Sequence, residues 1–244
     1  MNIKTIEIRN YLLKSNLRER FIDYFEEHFI FSQQERGLGV LGQFSVIGNP
    51  DHFVWLRGFS DMQTRRNSLQ EFYDGPVWGK YGPLANDMML EWHNVHLVCP
   101  LTDIADLTCG LSADIVAADL AAGTMSPYLG IIAIDFFQAL PGKRDELINK
   151  FRTQVVPAYE SEAIQLRGYF VAEMGENTFS RLPVIQNEDE FVVITAYENE
   201  EVCWEKRKKV ALHINEATEA LLCITPDALL LSPTLRSPLR YLHK

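Results

Sequence analysis

Ile6-Glu7-Ile8-Arg9-Asn10-Tyr11 near the start of the chain and Ile132-Ala133-Ile134-Asp135-Phe136-Phe137 further along carry the same spacing of apolar residues, 132 − 6 = 126 positions apart. The same shift sets Arg18 on Arg144, Ile22 on Ile148, Phe25 on Phe151, Gly42 on Gly168 and Phe44 on Phe170, with Phe21 on Leu147 as a conservative pair. After a longer connection, Phe53-Val54-Trp55-Leu56 falls on Phe191-Val192-Val193-Ile194, a shift of 191 − 53 = 138. Self-similarity at a fixed shift is the mark of a repeated unit, so the chain reads as a duplication.

Each unit reads strand, helix, strand, strand, helix, strand. Residues 3–14 alternate Ile6 and Ile8 with Glu7 and Arg9, which predicts a strand. Phe21, Tyr24, Phe25, His28 and Phe29 recur at helical spacing within a predicted helix over 17–33, closed by Gly37. Strands follow over 38–48 and 52–59, joined by the turn formers Gly48-Asn49-Pro50-Asp51. Ser60 or Asp61 caps a helix over 62–72, Gly75-Pro76 interrupts it, a second helical stretch spans 77–89, and a strand over 91–99 ends the unit. The second unit repeats this with strands over 130–139, 165–174, 189–197 and 227–232 and helices over 143–161 and 199–221. Its middle hairpin, 175–188, is longer and polar. The expected domains are 1–100 and 128–244. Between them lies a helical connector over 101–127, which holds Asp103, Asp106, Asp114 and Asp119 and no Lys or Arg, and whose Ile104, Leu107, Leu111 and Ile115 suggest packing on the body.

A unit of this order lays its helices on one face of a four-stranded antiparallel sheet and leaves the other face bare. Two such units on one chain can close their bare faces together, giving a pseudo-dimeric barrel of the α+β class. On this reading any pocket lies in the lumen, lined by strand residues pointing away from the helices.

Composition narrows the function. Of 244 residues 47% are hydrophobic and 23% charged, ordinary globular values that exclude disordered and fibrous classes. Net charge is 23 − 33 = −10, and the longest basic run is Lys206-Arg207-Lys208-Lys209, so nucleic acid and anionic membranes are poor partners. No stretch reads as a signal peptide or membrane span, and the four cysteines have no metal-binding spacing, which suits a reduced, cytoplasmic compartment.

Glu7-Ile8-Arg9-Asn10-Tyr11 followed by Leu17-Arg18-Glu19-Arg20-Phe21 resembles the opening of NIPSNAP domains. A longer run resembles a bacterial branch of that family: Phe53-Val54-Trp55-Leu56-Arg57-Gly58-Phe59, then Asp61-Met62 and Arg65, then Phe72-Tyr73, Gly75-Pro76-Val77-Trp78, Ala85-Asn86 and Asn94-Val95. The resemblance covers residues 3–100. The counterpart segment of the second unit, residues 195–204, lacks the Arg65 and FY-x-GPVW features. The resemblance implies tandem ferredoxin-like repeats forming an intramolecular dimeric α/β-barrel. That fold is shared with cofactor-free monooxygenases and haem-handling proteins, and the family itself has no settled activity.

If Ile6, Ile8 and Leu12 pack under the helices, Glu7, Arg9 and Tyr11 point into the lumen, where Arg9 and Tyr11 suit an anionic or carbonyl-bearing ligand. The plainer alternative is an Arg9–Glu7 pair at the sheet rim. Trp55, Arg57 and Phe59 share a strand face, so Arg57 offers a planar cation stacked between aromatics; alternatively the rings are core and Arg57 snorkels outward. Arg65 either joins the site or pairs locally with Asp61. Tyr73 and Trp78 flank the Gly75-Pro76 break as a lid or an anchor, and Asn86 bonds either a ligand or the bend. His93 and His96 fall on opposite strand faces and do not chelate one ion, so no metal site is expected; His96 is the candidate for haem. His28 reads as a core histidine.

No dinucleotide, P-loop, serine-hydrolase or zinc-protease motif is present. The expectation is a protein binding a small anionic or aromatic molecule through Arg9, Tyr11, Trp55, Arg57, Arg65, Tyr73, Trp78 and Asn86, with no cofactor, and assembling as a homo-oligomer through helices or sheet edges. The alternatives are a cofactor-independent oxygenase or isomerase using Tyr11 or His96 as proton shuttle and Arg57 as enolate stabiliser, a haem-binding protein, or a scaffold.

Overall fold

The alternation at Ile6–Arg9 becomes a strand buried on both sides. In the computed structural model, which describes residues 3–101, 105–122 and 129–242, β1 (Thr5–Leu13) leads to α1 (Arg18–His28), the short α2 (Ile30–Gln34), β2 (Gly39–Val46) and β3 (His52–Phe59). Then come α3 (Met62–Tyr73), α4 (Pro76–Met88) and β4 (Met89–Pro100). The connection carries α5 (Ala105–Thr108) and α6 (Ala113–Ala122). The order then repeats as β5 (Ile131–Gln138), α7 (Arg144–Lys150), a π turn over Phe151–Val155, α8 (Val156–Ser161), β6 (Gln165–Ala172), β7 (Glu190–Tyr197), α9 (Glu200–Thr218) and β8 (Asp227–Pro233).

The strands form one closed antiparallel barrel in the order β1-β3-β2-β8-β5-β7-β6-β4. Within it the runs β4-β1-β3-β2 and β8-β5-β7-β6 follow the same internal order, joined at two short seams. In one, Phe44, Ser45 and Val46 lie against Pro233, Ser232 and Leu231. In the other, Val98, Cys99 and Pro100 lie against Ala172, Val171 and Phe170.

Local chemistry repeats with the strands. The Asp61 side chain caps α3 by accepting from Thr64 N at 2.6 Å, and Asn199 caps α9 by accepting from Val202 N at 2.9 Å. Those caps are 199 − 61 = 138 residues apart, the shift read from the sequence. β2 and β6 each carry a bulge at matching places, Val40/Gly42 and Leu166/Gly168. Gly37 ends the first helical segment at φ +78, a conformation that costs glycine nothing.

The lumen is a filled apolar core. Ile6, Ile8, Val54 and Leu56 from one half meet Ile132, Ile134, Val192 and Ile194 from the other, with Phe44 and Phe170 between them. This reverses the expected assignment of faces: Ile6 and Ile8 point inward, and Glu7, Arg9 and Tyr11 point toward the helices. Both faces of β1 are buried, so burial alone could not tell them apart. The helices present an aromatic layer of Phe21, Phe25, Phe29 and Phe72 that packs on Tyr11, Trp55 and Phe59, and the aliphatic face is left to pair with its counterpart across the barrel. In the connector, Asp103 and Ile104 lie outside the described residues, Leu107 is buried with the lumen cluster, and its carbonyl accepts from Arg167 at 2.9 and 3.2 Å. No helix among the described residues is long and apolar enough to cross a membrane.

Candidate ligand-binding site

Between the sheet and the helices of the first half, β1 brings Glu7, β3 brings Arg57 and α3 brings Arg65 to one point, all three fully buried. Glu7 is the hub. Its Oε2 accepts from Arg57 Nε at 2.8 Å and from Arg9 Nη1, and its Oε1 accepts from Arg65 Nε at 2.7 Å. Arg57 Nη1 also donates to Gln33 Oε1 at 3.2 Å, and Arg65 Nη1 to Asn177 Oδ1 at 2.9 Å. Arg9 is 1% exposed and donates from Nε to the Tyr11 hydroxyl at 2.7 Å. The rings of Trp55, Phe59 and Tyr73 lie 5.0, 5.8 and 5.8 Å from the Arg57 guanidinium carbon, within cation–π range.

Burial alone would raise the Glu7 carboxyl. The guanidiniums of Arg57, Arg9 and Arg65 outweigh it and hold the group well below the usual carboxylate range. Burial likewise opposes charge on Arg9, but Tyr11 and Glu7 more than compensate and keep it protonated. The Tyr11 phenol is pushed up by its own burial. Three guanidiniums against one carboxylate leave 3 − 1 = +2 charges in a buried site, and Arg57 Nη2, Arg65 Nη2 and Trp55 Nε1 are buried without a partner among the described residues.

Beside this cluster opens a cavity of about 150 Å³, walled by Arg9, Tyr11, Tyr73, Trp78, Asn86 and Met89 and roofed by Trp92, Arg181 and Leu182. An apolar cleft shares the walls Tyr11, Tyr73, Trp78 and Met89 and runs inward to Trp55, Phe25 and Phe29. Trp78 sits against Gly82, where an added Cβ would come within 2.6 Å of the indole, and its ring centroid is 4.7 Å from that of Tyr73.

The structure therefore gathers Arg9, Tyr11, Tyr73, Trp78 and Asn86 at one cavity, with Trp55 in the adjoining cleft and Arg57 and Arg65 behind it. None of these faces the lumen. Arg65 does not pair with Asp61, which is occupied as a helix cap, and Arg57 does not snorkel to solvent. The sequence sets Glu7 on one strand face with Arg9 and Tyr11, or as a rim partner of Arg9, but does not give it as the hub of three arginines. Nor does it give Gln33 or the cover from Asn177, Arg181 and Leu182, which the polar hairpin of the second half folds across. A lone acid between two isoleucines was the available signal for Glu7; the hairpin residues gave none.

His96 stands apart. It lies opposite Ile8 in the β1–β4 ladder and so faces the barrel interior, on the other side of the sheet from Tyr11. Trp92 and Asn94, which simple alternation would put on its face, divide. Register shifts between Asn94 and Met89 send Trp92 to the Arg9 cavity, while Asn94 stays with His96. His96 Nδ1 lies 2.8 Å from Glu190 Oε1, at a barrel mouth of about 190 Å³. That space falls below the roughly 300–1,000 Å³ of drug-sized ligand sites. His28, expected in the core, is half-buried and stacks on Tyr81 at 3.8 Å. Among the described residues no group of three or more His, Cys, Asp and Glu side chains is placed to hold a metal ion.

No family model and no curated protein matches this chain. Among solved structures it resembles a putative monooxygenase from Lactobacillus acidophilus, at 12% identity and TM-score 0.59 over 95% of this chain and 94% of that one. It likewise resembles a putative monooxygenase from Fusobacterium nucleatum, at 9% identity and TM-score 0.60 over 95% and 92%. A NIPSNAP family protein of unknown function from Agrobacterium tumefaciens aligns at 23% identity and TM-score 0.38, over 41% of this chain and 89% of that one. At these identities the full-length likenesses establish the architecture, a mixed α+β fold built on a closed eight-stranded antiparallel barrel, and nothing finer.

Proposed function

We propose that the first half binds a small molecule built of one aromatic ring and a carboxylate. The observation that carries this reading is the buried cluster of three arginines around one glutamate, with its excess of two positive charges beside a cavity. Buried charge without compensation is costly, and a bound anion supplies the missing counter-charge. Arg9 makes its hydrogen bonds to protein through Nε and Nη1, which leaves Nη2 for a carboxylate, a charge-assisted contact of the stronger kind. Asn86 and Arg181 add polar contacts at the mouth, and Tyr73 and Trp78 stack on the ring. A cavity of about 150 Å³ matches the size that holds a single benzene ring in an engineered core. The chain is, on the same reading, two tandem ferredoxin-like repeats, at 1–100 and 128–244, of NIPSNAP type in the first.

Fluorine NMR with 4-fluorobenzoate tests the proposal. The ligand is expected to bind the wild type, and Arg9→Gln to weaken it at least about tenfold, the loss of one charge-assisted hydrogen bond. An unchanged affinity in Arg9→Gln, with a native near-ultraviolet dichroism spectrum, would sink the reading.

A second reading is catalysis: oxygenation or isomerisation of such a ring. It is favoured by the Arg9–Tyr11 pair, which places a phenol within reach of the cavity, and by the full-length likeness to two proteins described as putative monooxygenases. It predicts oxygen uptake or product formation with electron-rich aromatic acids, abolished by Tyr11→Phe; binding without turnover across a panel of them leaves the protein a binder.

A further inference from the structure

We infer that the second half holds a small-molecule site of its own, selective for an uncharged phenolic ring rather than an anion. Between the barrel and the helices of that half lies a cavity of about 260 Å³, lined by Asp135, Tyr159, Tyr197 and Arg207 with Phe137 and Val210 among its apolar walls. It occupies the same place in its half as the Arg9 cavity does in the first. At the shift of 126, Arg9 falls on Asp135 and Gln33 on Tyr159; each of these lines a cavity or cleft of its own half.

The charge is rebuilt. Glu7 falls on Ala133 at the shift of 126, and Arg57 and Arg65 fall on Thr195 and Cys203 at the shift of 138. The cluster that gives the first site its excess of positive charge is thus replaced by three uncharged side chains. The charges that remain neutralise each other: Arg207 Nη1 and Nη2 donate to Asp135 Oδ2 and Oδ1 at 2.9 and 2.6 Å. A carboxylate entering this cavity meets Asp135, an ammonium meets Arg207, and neither finds an unpaired opposite charge.

Tyr159 offers a ligand in this cavity a neutral polar side chain: it is 1% exposed and lines the space. The backbone works to put it there: a π turn at Phe151–Val155 interrupts the helix just before Pro157, whose ring removes an N–H, and Tyr159 follows on α8. π turns of this kind are frequent at functional sites. The Tyr159 hydroxyl can donate to a phenolic or carbonyl oxygen, while Phe137, Val210 and Ile214 pack on the ring.

The test is fluorine NMR on the full chain with 4-fluorophenol. Binding to the wild type is expected, weakened about fivefold in Tyr159→Phe, the loss of one neutral hydrogen bond, and abolished by the cavity-filling Ala228→Leu. The inference is overturned if 4-fluorophenol does not bind at millimolar concentration. It is overturned equally if both variants bind it as the wild type does, or if Tyr159→Phe lowers the melting temperature and leaves binding untouched. The outcome is independent of the first site: Tyr159→Phe is expected to leave 4-fluorobenzoate binding unchanged, and Arg9→Gln to leave 4-fluorophenol binding unchanged.

Discussion

Glu7 is the residue on which the first half turns. Its carboxylate is the shared acceptor of three guanidiniums, so removing its charge leaves three buried cations facing one another. Glu7→Gln is expected to cost roughly 3–5 kcal/mol, the range for breaking a buried ion pair from one side, read by urea unfolding at pH 7. The pH dependence has a definite sign. Because the folded-state carboxyl is held below its unfolded value of about 4.5, its contribution is complete above that pH and is lost as the pH falls further. The stability gap between wild type and Glu7→Gln is therefore expected to narrow steadily below about pH 4.5; a gap constant from pH 7 to pH 3 would show that Glu7 is not the acceptor described. At this scale the sequence was legible in part. Arg9, Tyr11, Trp55, Arg57, Tyr73, Trp78 and Asn86 stood out because polar and aromatic residues on buried strands and at a helix break need a reason. Their side of the sheet was not legible, since Ile6 and Tyr11 are both buried and alternation fixes only that they face opposite ways. Glu7 as hub, and Asn177 as its distant support, follow from strand pairing and chain return that no local pattern encodes.

At the scale of elements, periodicity carried nearly everything. Strand 52–59 was read at its observed bounds, and helix 62–72 ends one residue short of α3, because apolar spacing, an acidic cap and a Gly-Pro break all point the same way there. The exceptions are the helix expected over 17–33, which breaks at Phe29 into α1 and α2, and the helix expected over 143–161, which is split by its π turn near Pro157. The paired caps give the duplication a quantitative test. Asp61→Ala and Asn199→Ala each remove one side-chain acceptor from the first turn of a long helix, and each is expected to cost about 1 kcal/mol. The two sites share no partner, so the double variant should lose the sum within about 0.5 kcal/mol. Chemical denaturation of the four proteins measures this. A negligible effect at Asn199 beside a normal one at Asp61 would mean that the equivalence of the two helices is one of shape and not of energetics.

For the molecule as a whole, the decisive fact is that the barrel interior is built from both halves. Ile6, Ile8, Val54 and Leu56 bury themselves only against Ile132, Ile134, Val192 and Ile194, and the closed strand order leaves no open sheet edge among the described strands. Association through sheet edges, one of the two routes expected from the sequence, is therefore unavailable to the intact chain, and the helices remain the surface for it. Cutting the chain restores what closure removed. Residues 3–101 alone would expose the aliphatic face of a four-stranded sheet and free β2 and β4, whose partners β8 and β6 belong to the other half. An apolar face of that extent on a small domain drives association. The isolated first half is thus expected to form a dimer that closes its own barrel by pairing β2 of one copy with β4 of the other, or else to be insoluble. Light scattering coupled to size exclusion decides it: a folded, stable monomer of the first half would mean that the lumen contacts contribute little, and that the two halves are joined by the chain more than by their shared core.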